Sequence, residues 1–220
     1  TGKSTFIKRF MDVAVLPYME DAAQKTRAQD ELPQSAGGRT ITTTEPKFIP
    51  QEAVELKLAG EVTIRVRLVD CVGFMVEGAA GHLEDGAERL VKTPWYDHEI
   101  PFTQAAELGT RKVITDHSTI GVVVTTDGSF SDLPQETYLD AENQAISELK
   151  KLHKPFLVLV NSSHPSSRTA REAAERIEKQ HSVAAMPVNC AQLSEEDIRQ
   201  IMEQILYEFP VSRVEFYMPK

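Results

Sequence analysis

The apolar positions of this chain first mark a helix, then a hairpin, and later a regular alternation of strands and helices. Phe6, Ile7, Phe10, Met11 and Ala14 lie on one face of a helix over residues 5–16, which Pro17 stops. From Tyr18 to Pro46 the chain is polar, with Gly37 and Gly38 inside it. A connection of that length is usually functional or mobile. Two apolar runs, Ala53–Ala59 and Val62–Val69, flank Gly60-Glu61 and alternate at period two, which predicts a hairpin. Residues 73–101 carry four glycines and two prolines and read as irregular. A weaker helix is expected over 102–117, interrupted by Gly109.

The pattern sharpens downstream. Thr119–Thr126 and Phe156–Val160 read as buried strands. Between them Asp132 is placed to cap a helix with Pro134 in its first turn, running to Leu152 through Tyr138, Ala141, Ala145 and Leu149. Arg168–His181 reads as a helix with Ala170, Ala173, Ala174 and Ile177 inward, and Ala185–Asn189 as a short strand. Ser194 caps the last helix with Asp197 at its third position, a variant of the capping box. Ile198, Ile201, Met202, Ile205 and Phe209 form its inner face, and Pro210 ends it. Such alternation indicates a largely parallel sheet with helices on both faces. The expected class is therefore α/β: a GTPase-like P-loop three-layer sandwich, mostly parallel, with one antiparallel edge hairpin. Residues 1–210 make one domain, and 211–220 begin a following one, opening with a strand over 211–217.

Composition narrows the chemistry. The 220 residues carry a net charge of −9, which excludes a general electrostatic grip on nucleic acid. A nucleotide is still admissible, because backbone amides and one lysine suffice to hold its phosphates. No apolar run approaches the roughly 18 residues that cross a bilayer. Cys71 and Cys190 are far apart, which favours a reducing compartment over a disulfide scaffold. The six histidines show no metal-ligand spacing.

The chain opens on Thr1-Gly2-Lys3-Ser4-Thr5 and passes at once into the first helix. This is the second half of G-x-x-x-x-G-K-[ST]. Gly2 lets backbone approach phosphate, Lys3 reaches the β- and γ-phosphates, and the Ser4 hydroxyl ligates Mg²⁺. Thr1 to Thr5 are thus the candidate phosphate-binding residues. The strand before this loop and the loop's first half are expected upstream, and the 220 residues alone are expected to bind ATP weakly. A second motif, Val66-Arg67-Leu68-Val69-Asp70-Cys71-Val72-Gly73, is an apolar strand ending in Asp, with Gly three residues on. Asp70 is expected to hold the metal and the Gly73 amide to sense the γ-phosphate. Between the motifs, Arg39-Thr40-Ile41-Thr42-Thr43-Thr44-Glu45-Pro46 offers four threonines for a switch loop that closes on Mg²⁺.

Guanine readers of this build carry Asn-Lys-x-Asp after the fifth strand. Here Asn161-Ser162-Ser163-His164 keeps only the Asn, so guanine should not be preferred. Asn161 is retained as a candidate nucleotide contact. Phe74 stands where many small GTPases place a water-orienting Gln, so hydrolysis should be slow and draw on another polar group. Trp95 reads as an anchor of an irregular loop, Arg111 and Lys112 as a solvated helix face rather than an arginine finger, and Cys71 as a small buried residue.

The strings TGKSTFIKRFM, RAQDELPQSAGG, TTEPKFIP, RLVDCVGF, TPWY, TRKVI, HSTIGVVVTTDG and LYEFPV resemble the stage IV sporulation protein A family, over essentially the whole chain. That resemblance implies an ATPase of GTPase-like ancestry whose hydrolysis drives self-assembly around the forespore, as the basement layer of the spore coat. It implies ATP and Mg²⁺ as ligands. Lys3 and Asp70 become catalytic residues, and Thr43 and Thr44 the γ-phosphate sensors, with Thr43 also on the metal. It further implies partners that include coat proteins and a forespore-membrane anchor, engaged outside this chain, and a place in the mother-cell cytoplasm. An orthodox GTPase switch and an assembly module without chemistry are the alternatives.

Overall fold

The computed structural model describes residues 2–33, 46–57, 63–76, 78, 83–84, 87–130 and 133–210. Thr1, the stretch 34–45 with Thr40, Thr42, Thr43 and Thr44, Asp132 and residues 211–220 lie outside the described residues. Helix α1 (Lys3–Phe10) widens into a π-helical turn over Met11–Val15 and ends in a 3₁₀ turn over Leu16–Tyr18. Helix α2 (Ala22–Asp30) follows within the stretch expected to be a loop. Its sequence is polar nearly all round and buries only Ala28, so no apolar period announces it. What starts it is Asp21, whose carboxylate accepts the N–H groups of Ala23 and Gln24 at 2.7 and 3.0 Å.

Strands β1 (Lys47–Lys57) and β2 (Thr63–Asp70) form the predicted antiparallel hairpin. β1 begins before the expected Ala53, because its register shifts between Ile49 and Val54 and pairing resumes beyond Pro50. The region read as irregular holds two small ribbons. β3 (Leu83–Glu84) pairs with β4 (Ala87–Glu88), and β5 (Leu90–Thr93) pairs with β6 (Tyr96–Pro101). β6 exposes Tyr96, Asp97, His98 and Glu99 in succession. Strands without a buried face leave no alternation to read.

Helix α3 (Phe102–Lys112) continues as a second π-helical turn over Val113–His117. The Lys154 ammonium anchors that end, donating to the carbonyls of Ile114, Thr115 (2.9 Å) and Ser118 (2.6 Å). β7 (Gly121–Thr126), β8 (Phe156–Asn161) and β9 (Ala185–Val188) form a parallel sheet in that order. Thr126, Asn161 and Val188 align across its C-terminal edge. Helices α4 (Leu139–Lys151), α5 (Arg168–His181) and α6 (Glu195–Tyr207) complete the fold. The Ser194–Asp197 capping box is formed as expected. Phe209 corrects an expectation: it lies past the end of α6, 37 % exposed, rather than on the inner face.

β8 explains the layering. Its six residues are all buried. Leu157 and Leu159 join a core with α1 and α6, while Val158 and Val160 join a second core with Ile146 of α4 and Ile177 of α5. Period two on a strand covered on both faces yields a continuous apolar run. The β1–β2 hairpin shares no ladder with β7–β8–β9 among the described residues, so the expected single sheet is divided. Helix α1 spans both: Ile64, Val66 and Leu68 of β2 and Val122 and Val124 of β7 pack against the core that contains Phe6, Ile7 and Phe10.

A buried charge ties the second core. Glu142 of α4 accepts the Thr125 hydroxyl at 2.7 Å and faces Arg176 of α5 at 2.8 Å, with its side chain 1 % exposed. Removing one partner of such a pair strands the other, at a typical cost of several kcal/mol. Arg176 keeps some access to water, which places the effect at the lower end. Glu142→Ala should therefore destabilise the domain by about 3 kcal/mol in urea unfolding. A loss below the error of the fit would show that the pair contributes nothing.

Candidate nucleotide site

Gly2 stands at the N-cap of α1 with φ +104°, a conformation that side chains rarely adopt. A Cβ there would also lie 2.6 Å from the Asn161 amide nitrogen. Glycine is therefore required twice, by backbone angle and by space. No side chain caps α1 and its first turn holds no acid. A cap is typically worth about 1 kcal/mol, whereas each buried Phe, Ile or Met contributes about 1.5–3 kcal/mol. Burial of Phe6, Ile7, Phe10 and Met11 thus sustains the helix and leaves its N-terminal amides to an anion.

Lys3 and Ser4 occupy the first turn, and the β2 strand delivers Asp70 to them. The Ser4 hydroxyl donates to Asp70 Oδ2 at 2.8 Å. The Lys3 ammonium lies over Gly73, 3.0 Å from where a Cβ would stand, and Gly73 has φ +89°. The two motifs separated in sequence therefore meet in one place, with a cation, a hydroxyl, a carboxylate and a glycine amide together. The hydroxyl and carboxylate are hard oxygen donors of the kind Mg²⁺ takes. Among the described residues no cluster of three or more His, Cys, Asp or Glu forms a metal cage. A site for Mg²⁺ here would be completed by water and phosphate.

Asn161 faces inward. It is 4 % exposed, and its Oδ1 accepts the Cys190 N–H at 3.0 Å while its amide nitrogen abuts Gly2. Its side chain thus braces the loop at α1 against the segment after β9. The residues after Asn161 are stitched to the end of β7. Ser162 Oγ donates to Asp127 Oδ2 at 2.6 Å, and the Ser163 N–H donates to Ser129 Oγ at 2.8 Å. Beside them a pocket of about 330 Å³ is lined by Asp127, Ser129, Ser162, His164, Ser167 and Thr169. Asp127 went unnoticed as a site residue. An acid followed by Gly at a strand end reads equally well as a plain turn.

The remaining candidates resolve plainly. Phe74 packs against the second core. Trp95 sits in the β5–β6 turn with Lys112 5.7 Å from its ring centre. Arg111 is half exposed and lies 3.8 Å from Glu148. Burial pushes the Cys71 thiol up, against the pull of Lys3, and pushes Cys190 up to about 12. Both are thiols at neutral pH, which argues against a nucleophilic role for Cys71, although that residue is half-buried and only Cys190 is fully buried.

Asn161→Ala removes the acceptor of a buried N–H and loosens the ground beneath Gly2. It should cost about 1–3 kcal/mol of stability, the usual penalty for an orphaned buried donor. A thermal melt within 1 °C of the parent would show that Cys190 finds another acceptor.

Residues 1–210 match the family described as "Stage IV sporulation protein A, ATPase domain". The chain is 47 % identical over 220 residues to stage IV sporulation protein A of Clostridioides difficile (strain 630), covering all of this chain and 45 % of that protein. It is 45 % identical over 219 residues to the protein of that name in Bacillus subtilis (strain 168), of which it covers 44 %. The chain spans less than half the length of the curated relatives it matches. No helix among the described residues is long and apolar enough to cross a membrane. On this match the chain belongs to the stage IV sporulation protein A family, with residues 1–210 matching that family's ATPase domain.

Proposed function

We propose that this chain binds ATP and hydrolyses it to ADP and phosphate, as part of a sporulation protein that polymerises on the forespore surface into the basement layer of the spore coat. The observation that carries the chemistry is the contact of Ser4 with Asp70 at 2.8 Å, with Lys3 laid over Gly73 beside it. The assembly role rests on family membership alone. Coat proteins, a forespore-membrane anchor and further copies of the protein are its proposed partners, and the mother-cell cytoplasm its place.

In this reading the α1 N-terminus and the Lys3 ammonium receive the β- and γ-phosphates. Ser4 and Asp70, with Thr43 of the switch loop, would hold Mg²⁺, which when bound neutralises phosphate charge. Gly73 offers its N–H to the γ-phosphate, and Thr43 and Thr44 close on the same group. Phe74 packs into the core, so orienting the attacking water falls to other groups, and turnover is slow. Preference for ATP over GTP follows from the loop after Asn161. His164 stands three residues after Asn161, where the guanine motif has its Asp, and the two serines between are bonded to Asp127 and Ser129. The loop itself carries no carboxylate for the paired donors of guanine, and the neighbouring Asp127 carboxylate is already engaged by Ser129 and Ser162.

Lys3→Ala in the full-length protein should lower ATP turnover by about a hundredfold or more, the usual loss when a charge-stabilising donor is removed. Turnover equal to the parent would sink the mechanism. A labelled GTP probe should be displaced readily by ATP, and an inability of excess ATP to displace it would instead favour a guanine-specific switch.

A further inference from the structure

Thr110 is a buried hydroxyl in the last turn of α3, 4 % exposed, and it points at the second phosphate motif. Its Oγ1 accepts the Gly73 N–H at 3.0 Å. An amide carries one hydrogen and makes one good linear bond. The Gly73 N–H therefore serves Thr110 or a phosphate oxygen, and the two compete. The Lys3 ammonium also lies close to Gly73, so this glycine sits between a helix α3 hydroxyl and the phosphate-motif lysine.

We propose that Thr110 is a positioning residue that holds the Gly73 N–H on helix α3 and yields it to the γ-phosphate, so that ATP and not ADP releases Gly73 from α3. This rests on the nucleotide reading above. ADP has no γ-phosphate to compete and leaves the Thr110–Gly73 bond in place. ATP breaks it and gains the amide, at the cost of one hydrogen bond. Thr110 thus lowers ATP affinity selectively, and it makes α3 the first element outside the phosphate motifs to register which nucleotide is bound. What α3 touches extends that signal. Arg111 reaches Glu148 of α4, Lys112 covers Trp95 in the β5–β6 turn, and Phe102 lies beneath the Arg89 guanidinium.

The test compares Thr110→Val, which keeps the shape and removes the acceptor, with Thr110→Ser, which keeps the acceptor. Affinities for ADP and for a non-hydrolysable ATP analogue are measured by calorimetry on the full-length protein. Thr110→Val should bind the triphosphate analogue about three- to tenfold tighter, the range expected for one neutral hydrogen bond, with ADP unchanged. Thr110→Ser should match the parent. Hydrogen exchange at the Gly73 amide, measured without nucleotide, should accelerate in Thr110→Val alone. If Thr110→Val does not fold, Thr110→Ala must show the same selective gain. Equal shifts for both nucleotides, or none, overturn the proposal while the nucleotide reading stands. A parent protein that binds neither nucleotide overturns both.

Discussion

Helix α1 carries the apolar face on which the rest of the domain depends. Phe6, Ile7, Phe10, Met11 and Val15 are each buried, and they pack on strands from two separate sheets at once. Those sheets share no ladder among the described residues, so side-chain packing on α1 sets their relative position. The site follows from this. β2 ends at Asp70 beside Ser4, and β8 ends at Asn161 beneath Gly2, because both strands are packed against the one helix that begins with Gly2-Lys3-Ser4. A few strong polar contacts are thereby placed by many weak apolar ones. The apolar contacts hold the geometry whether or not the polar groups find their ligand.

Much of this was legible in the sequence where burial imposes a period. The α1 face, the run Phe156–Val160, the α5 stripe and the α6 stripe up to Ile205 each bury one or both faces, and each reads correctly. The meeting of Gly2, Lys3, Ser4 and Asp70 in one place is legible for a different reason: their types and spacing match the two phosphate motifs. Elements held by polar contacts were not legible. Helix α2 rests on its Asp21 cap, and β5–β6 has a largely exposed face. The stripe read along α4 was slightly rotated from the true one. The inner line runs through Glu142, Ile146 and Leu149, and the carboxylate that begins it hides it from a hydrophobic template.

Within the site, the contacts that link motifs were the ones sequence reading missed. Asn161 reads as a nucleotide contact, and in the structure its Oδ1 accepts the Cys190 N–H while its amide nitrogen lies close to Gly2. Thr110 and Asp127 belong to no spacing rule, since each acts through a tertiary contact with a segment more than 30 residues away. Residue type alone cannot reveal such partners. Threonine in a helix and aspartate before glycine are ordinary in both settings.

The anchoring of α3 by Lys154 has a mechanical consequence. Three carbonyls around Ile114 and Ser118 are pinned to one ammonium, which fixes that end of the helix as a fulcrum. At about 1.5 Å per residue, Thr110 lies roughly 6 Å from Ile114 and Phe102 roughly 18 Å. A rigid rod so mounted magnifies movement about threefold from Thr110 to Phe102. The far end bears directly on the β5–β6 ribbon, since the Phe102 N–H donates to Arg89 just before β5, at 2.8 Å. A one-ångström tilt of α3 at Thr110 would therefore amount to about three ångströms at Phe102, where the helix meets the β5–β6 ribbon.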